Sequence, residues 1–190
     1  MGAFEYLLLF TAIILGLAVS DLAMSLHRLL GAGKRVRWDW LAPLAAVVAF
    51  LKIVTQWWSW HSAEQLAGAV TFEMFLTLLV AAVLLFLLAA AALPDEAPRD
   101  ETIDLRLHYA AVSRRYWLLF LGHWLVGNVA SVWVQIAAEH AHFTLLQPAY
   151  LIGLVIGSLI LIRNRWWHTI CLLGFVAIYL VQFFGQSLSG

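Results

Sequence analysis

Histidine and carboxylate side chains collect in the short connections and helix ends that the sequence predicts for one face of the protein. They are His61, Glu64, Glu139, His140 and His142. Imidazole and carboxylate groups bind Zn²⁺ or similar ions, and they also titrate near neutral pH and attract cations to a pore mouth. His140 and His142 are only two residues apart, which does not match a zincin motif. The cluster is therefore a candidate metal site, a candidate mouth for protons or cations, or a solvated loop.

A second group of polar side chains lies inside long apolar segments, where an ionisable group is costly and marks a functional position. Asn128, Ser131 and Gln135 recur at spacings of three and four, so they share one helical face. Such a face must contact partner helices or water, and it is either hydrogen-bonded packing or the lining of a cavity. The complete candidate polar path consists of Asp21, Lys52, Gln56, Glu73, His123, Asn128, Ser131 and Gln135.

Long apolar stretches must position these side chains, and their composition is typical of a bilayer protein. The chain has 190 residues, of which 64% are hydrophobic and only 12% are charged, and its mean hydropathy is +0.89. A soluble domain typically carries about 25% charged residues. A membrane-spanning helix needs roughly 20 mostly apolar residues, and six segments meet this requirement: 3–27, 40–60, 69–93, 115–138, 145–162 and 168–187. The sequence predicts an all-α polytopic membrane protein with six transmembrane helices.

The basic residues predict how these helices are oriented. Apart from Lys52, they lie in connections one, three and five, which are Arg28 to Arg37, Arg99 to Arg115, and Arg163 with Arg165. The positive-inside rule makes this side cytoplasmic and puts both termini outside. In a bacterium this is a multi-pass inner-membrane protein with periplasmic termini. Aromatic residues at both predicted interfaces agree with this orientation: Trp38, Trp40, Tyr116, Trp117, Trp166 and Trp167 inside, and Trp57, Trp58 and Trp60 outside.

The most polar insert divides the chain into two three-helix halves. These are residues 1–93 and 115–190, joined by a cytoplasmic linker and interfacial helix over 94–114. Halves with three spans each insert in opposite senses, so they are either an inverted repeat or two plain three-helix units. The small residues Gly153 and Gly157 predict close helix packing, within the chain or between copies, and we expect a homo-oligomer.

Helix rise gives an expected depth for each ionisable group. At 1.5 Å per residue, Lys52 lies roughly 20 Å from the inner surface and Glu73 roughly 8 Å from the outer one. We therefore expect these two side chains to pair or to share a wet cavity, although a buried salt bridge that only fixes register is an alternative. Asp21 lies roughly 10 Å from the inner surface, at the expected depth of His123. The two could relay protons, or Asp21 could satisfy Arg28.

Three classes of function remain open. The first is a small channel or carrier that moves protons or cations along the polar path. The second is a structural or accessory membrane protein that binds a partner or lipid. The third is a redox protein that holds b-type haem between histidines, with inner candidates His27, His123 and His168 and outer candidates His61, His140 and His142.

Motifs for catalysis are absent from the sequence. No G-x-S-x-G, H-E-x-x-H or glycine-rich phosphate loop occurs, which favours a protein without enzymatic activity. Transport and accessory roles need no cofactor, whereas Zn²⁺ or haem would serve the metal and redox alternatives. The expected partners are the lipid bilayer and further copies of the chain, and no basic aromatic surface predicts a nucleic acid.

Overall fold

The structure is a computed structural model that describes residues 3–62, 71–95, 101–137 and 148–183. Within these residues the chain is almost entirely helical, as predicted. Its six helices are α1 (Ala3–Ala32), α2 (Leu41–Ser62), α3 (Phe72–Ala92), α4 (Leu105–Ala137), α5 (Pro148–Leu161) and α6 (Arg165–Phe183). A short 3-10 turn over Gly33–Arg35 and two strands, β1 (Val36–Arg37) and β2 (Ile103–Asp104), complete the described elements.

Local capping residues determine where the helices begin. The hydroxyl of Thr71 accepts a hydrogen bond from the backbone N–H of Met74 at 3.3 Å and caps α3. The carboxylate of Asp104 accepts from the backbone N–H groups of Arg106 and Leu107 at 2.9 and 3.1 Å, and so caps α4. Short polar side chains satisfy the first N–H groups of a helix, which have no intrahelical partner. These starts therefore follow from sequence that is local to each helix.

Within the described residues, three helices are long and apolar enough to cross a membrane. They occupy Glu5–Arg35, Leu41–Trp60 and Phe72–Ala92, while the apolar stretch Tyr150–Leu161 is shorter. Their length and composition agree with a membrane protein. The six-span topology and the side on which the termini lie stay predictions.

Helix packing crosses the boundary between the two predicted halves. Helix α3 packs against both α1 and α4, α2 packs against α6, and α5 packs against α4. The buried face of α3 is rich in alanine, including Ala81, Ala82 and Ala89, and small side chains let neighbouring helices approach closely. Residues 105–114 belong to the same continuous helix as the predicted fourth span. Their placement on the membrane surface stays a prediction.

Connections one, three and five meet at one end of the bundle. Strands β1 and β2 pair in parallel, with Val36 opposite Ile103. The guanidinium of Arg165, at the start of α6, lies 2.5 Å from the carboxylate of Asp39, just before α2. The basic connections of the sequence therefore share one end of the molecule, which we call the basic end.

Three aromatic side chains that we predicted in the interfacial belts are buried instead, namely Trp60, Tyr116 and Trp117. Tyr116 and Trp117 are both 0% exposed. The hydroxyl of Tyr116 donates to the carbonyl oxygen of Ala45 at 2.9 Å, so it links α4 to α2. Buried Tyr and Trp usually find such partners for their polar atoms. Trp40 and Trp166, which are 54% and 70% exposed, keep the surface position that we expected.

A glycine allows the close approach of α5 to α4. A Cβ atom on Gly153 would lie 2.6 Å from the indole ring of Trp124, whereas a Cβ atom on Gly157 would meet nothing within 4 Å. Only the first glycine of the predicted pair is therefore required by packing within the chain.

We expect Gly153→Ala to destabilise the protein by roughly 1–3 kcal/mol, because the added methyl group overpacks the contact with Trp124. Gly157→Ala is the matched control and should leave stability unchanged or slightly raise it, since alanine favours helix. Thermal unfolding of the purified protein in detergent, followed by circular dichroism, measures both. Combining Gly153→Ala with Trp124→Leu should recover much of the loss. Equal melting temperatures for the two glycine variants would contradict this account.

Candidate functional site

A chain of hydrogen bonds joins α2, α3 and α4 inside the bundle. Lys52 Nζ donates to Gln56 Oε1 at 3.0 Å. His123 Nε2 lies 3.1 Å from the same oxygen, and His123 Nδ1 lies 3.1 Å from the backbone carbonyl oxygen of Ala81. The imidazole is only 2% exposed. We call Lys52, Gln56 and His123 the central triad.

The protonation state of His123 depends on which way the side-chain amide of Gln56 points. The carbonyl oxygen of Ala81 only accepts, so His123 Nδ1 carries a hydrogen. When the Gln56 oxygen faces His123, Nε2 must also carry a hydrogen and the ring is an imidazolium. When the Gln56 amide turns so that its nitrogen faces His123, Nε2 accepts and the ring is neutral, but the same turn takes the amide oxygen away from the Lys52 ammonium. Protonation of His123 and rotation of the Gln56 amide are therefore coupled.

Lys52 contacts Gln56 rather than Glu73, which is the partner that we predicted. Its ammonium group donates to Gln56, while Glu73 lies exposed in the first turn of α3, beside its capping residue Thr71. Within the described residues, Lys52 and Glu73 form no ion pair. The depth estimate was too coarse because it treated each helix as starting at the membrane surface.

His123 also lies in a different cluster from Asp21. Cross-helix bonds join Tyr116 to Ala45 and His123 to Gln56, at sequence separations of 71 and 67. This register puts the start of α2 level with the first turns of α4, whereas we predicted that the fourth span starts at residue 115. His123 is therefore further from the basic end than expected and is level with Gln56.

Asp21 belongs to a cluster at the basic end. Ser25 Oγ donates to the carboxylate of Asp95 at 3.3 Å, and the Arg28 guanidinium donates to the Asp95 backbone carbonyl. Asp21 Oδ2 is buried and has no hydrogen-bond partner among the described residues. Asp21, Ser25 and Arg28 share one face of α1, at spacings of four and three, and this face contacts the segment after α3. Asp95 had no distinguishing signal in the sequence, since it is one of several acidic residues in the 94–106 insert.

Part of the predicted path cannot be placed. Asn128 donates to the carbonyl oxygen of Trp124 in its own helix at 2.7 Å. Ser131 and Gln135 lie in α4 and His61 lies in α2, but their side chains fall outside the described part of the chain. Glu64, Glu139, His140 and His142 also lie outside the described residues. The outer mouth or metal site therefore stays a prediction.

A second buried histidine has a fixed set of partners. His168 Nε2 lies 2.8 Å from the carbonyl oxygen of Ile162 and donates to it. His168 Nδ1 therefore accepts, from the hydroxyl of Tyr109 at 2.8 Å, and Trp117 Nε1 lies 3.3 Å from both Tyr109 Oη and His168 Nδ1. No sequence pattern predicts this network, because its members are 59 and 51 residues apart.

The inner histidines are not suited to ligate haem iron. Both ring nitrogens of His123 and of His168 are engaged by protein atoms, so neither imidazole offers the free nitrogen that haem iron requires. His27 is exposed. Among the described residues, no group of three or more His, Cys, Asp or Glu side chains could hold a metal ion.

His108, in the first turns of α4, connects the cluster at the basic end to α3. Its ring lies beside the backbone carbonyls of Ala91 and Ala92, and Asp95 lies nearby. Burial lowers the pKa of His108 below its ordinary value of 6.5, although the two carbonyls and the carboxylate act in the opposite direction. Its Nε2 has no hydrogen-bond partner in the described part of the chain. The neutral ring is therefore the form that the fold favours.

We expect His108 to make stability depend on pH. When the pKa of a histidine is lower in the folded than in the unfolded protein, the unfolded chain takes up a proton first as the pH falls. Stability is therefore highest above about pH 6.5 and decreases as the pH falls below that value. His108→Gln should therefore reduce the loss of melting temperature between about pH 7.5 and about pH 5.5. His27→Gln, which changes an exposed histidine, should keep the wild-type pH dependence. If His108→Gln keeps it too, the assigned environment of His108 is wrong.

Comparison with known proteins assigns no family to the chain. No family model, no curated protein and no solved structure matches it. The function must therefore be argued from the side chains themselves, since a fold alone does not determine a function.

Proposed function

We propose that this chain is an integral membrane protein that moves protons or cations through a polar path lined by α4, with the central triad in the middle. Ionisable side chains among apolar helices are costly, and in membrane proteins they mark ion and proton pathways. The triad brings two such side chains, Lys52 and His123, to one amide oxygen. The membrane location in this proposal is supported by three described helices that are long and apolar enough to cross a bilayer.

The coupling between His123 and Gln56 is the observation that carries the proposal. A purely structural network has donors and acceptors that are all determined, as at His168. At the triad, Lys52 and His123 compete for one amide oxygen: with that oxygen facing both, His123 is an imidazolium beside the Lys52 ammonium, and with the amide turned, His123 is neutral and Lys52 loses this acceptor. A group that can gain a proton and then reorganise its neighbours is suited to a proton relay.

Beyond the central triad, the path lined by α4 also has ionisable groups at both ends of α3. Glu73 lies at the start of this helix, His123 contacts it at Ala81, and Asp95 follows its end beside Asp21. At 1.5 Å per residue, the intervals from Glu73 to Ala81 and from Ala81 to the end of α3 at Ala92 are about 12 Å and about 17 Å. Protons cover such distances only along water or further polar groups. Asn128, Ser131 and Gln135 of α4 supply candidates for the outer interval.

We expect proteoliposomes that contain the wild-type protein to show proton flux when a pH gradient and a membrane potential are imposed. Gln56→Met removes the amide at nearly constant volume, and His123→Gln removes the titrating ring. Each change should lower the flux by at least about tenfold, because a positioned acid or base contributes roughly 10²–10⁴ to proton transfer. A pH-sensitive dye inside the vesicles measures the flux.

His27→Gln is the matched control, since it alters an exposed histidine of α1, and its flux should equal that of wild type. Repeating the assay with sodium or potassium gradients separates proton movement from cation movement. Wild-type flux at the level of empty liposomes for protons and for both cations would overturn the proposal. So would wild-type flux in both triad variants.

A further inference from the structure

A surface groove between α3 and α4 combines two arginines with an apolar wall. It has a volume of about 560 Å³ and is lined by Leu84 of α3 and by Ala111, Arg114, Arg115, Leu118 and Leu119 of α4. Along α4 the charged residues lie nearer the basic end, and the leucines lie nearer the middle of the helix. Leu84 lies at the end of the groove nearer the middle of α4, because a Cβ atom on Gly122 would meet its side chain at 3.7 Å.

The two arginines carry charge that this part of the protein does not neutralise. Some other guanidinium groups at the basic end have protein partners: Arg28 donates to the Asp95 carbonyl, and Arg165 pairs with Asp39. Arg114 and Arg115 are exposed, and within the described residues neither makes a side-chain hydrogen bond or ion pair. Two neighbouring guanidinium groups form a good site for a phosphate, which they can bind in bidentate fashion.

We infer that this groove binds an anionic phospholipid. Arg114 and Arg115 hold the phosphate, and an acyl chain lies against Leu84, Leu118 and Leu119. The order of the lining residues matches the order of the lipid, since the headgroup lies near the basic end and the hydrocarbon extends towards the middle of the bundle. Basic pockets between membrane helices on the cytoplasmic side bind anionic headgroups in this way.

The leucine wall distinguishes a lipid from a soluble phosphate. A free phosphate or a phosphate ester fills only the charged end and leaves the leucines in water, whereas an acyl chain covers them and removes apolar surface from water. Leu118 is 49% exposed, so a chain lying on it covers surface that the protein itself leaves open. The inference does not depend on the transport function proposed above.

Native mass spectrometry of the full-length protein in detergent, titrated with phosphatidylglycerol, tests the inference. Wild type should bind phosphatidylglycerol more tightly than phosphatidylcholine. Arg114→Gln combined with Arg115→Gln should weaken phosphatidylglycerol binding roughly thirtyfold, since each basic residue near an anionic surface contributes a factor of roughly five. Arg163→Gln removes a charge from an exposed residue that does not line the groove, and it should bind as wild type does.

Two further measurements separate the groove from simple charge attraction. Leu118→Trp fills the apolar end and keeps both arginines, so it should also weaken phosphatidylglycerol binding. Inorganic phosphate at the same concentration as the lipid should not compete. Circular dichroism checks that each variant is folded. Wild-type binding by the double arginine variant or by Leu118→Trp would overturn the inference, and so would equal binding of phosphatidylcholine or displacement of the lipid by phosphate.

Discussion

His123 is hydrogen-bonded to two different helices at once, and the arrangement of α2, α3 and α4 depends on this pair of contacts. Its ring is 2% exposed, and its nitrogens reach the carbonyl of Ala81 on α3 and the amide of Gln56 on α2. A buried polar atom without a partner costs roughly 1–3 kcal/mol. In an apolar bundle no water replaces a missing partner, so a shift of either helix would leave this ring unsatisfied.

The two buried histidines illustrate two uses of the same side chain. His168 has one satisfied arrangement, because its Nε2 donates to Ile162 and its Nδ1 accepts from Tyr109. The protein thereby selects a single neutral tautomer. His123 instead faces an amide that can present either oxygen or nitrogen. The first histidine fixes α6 against α4, and the second offers an equilibrium that a proton can shift.

At the basic end, some charged side chains are paired within the protein and others are not. At the basic end, Arg165 pairs with Asp39, and Arg28 binds the segment after α3. These contacts hold the connections together, because each links residues from distant parts of the chain. Arg114 and Arg115 face a groove with leucines beside them. The same end thus contains both contacts that join distant parts of the chain and exposed positive charge. Exposed positive charge of this kind attracts anionic lipid headgroups.

The sequence by itself determined the helices, because apolar length and capping residues such as Thr71 and Asp104 are local properties. It also identified Lys52, Gln56 and His123 as costly polar residues. Only the tertiary structure decided that these three meet, whereas Lys52 was expected to contact Glu73. Periodicity gives the face of a helix, but not its vertical offset from a neighbour. That offset is set by contacts such as Tyr116 with Ala45, which depend on how closely small residues let the helices approach.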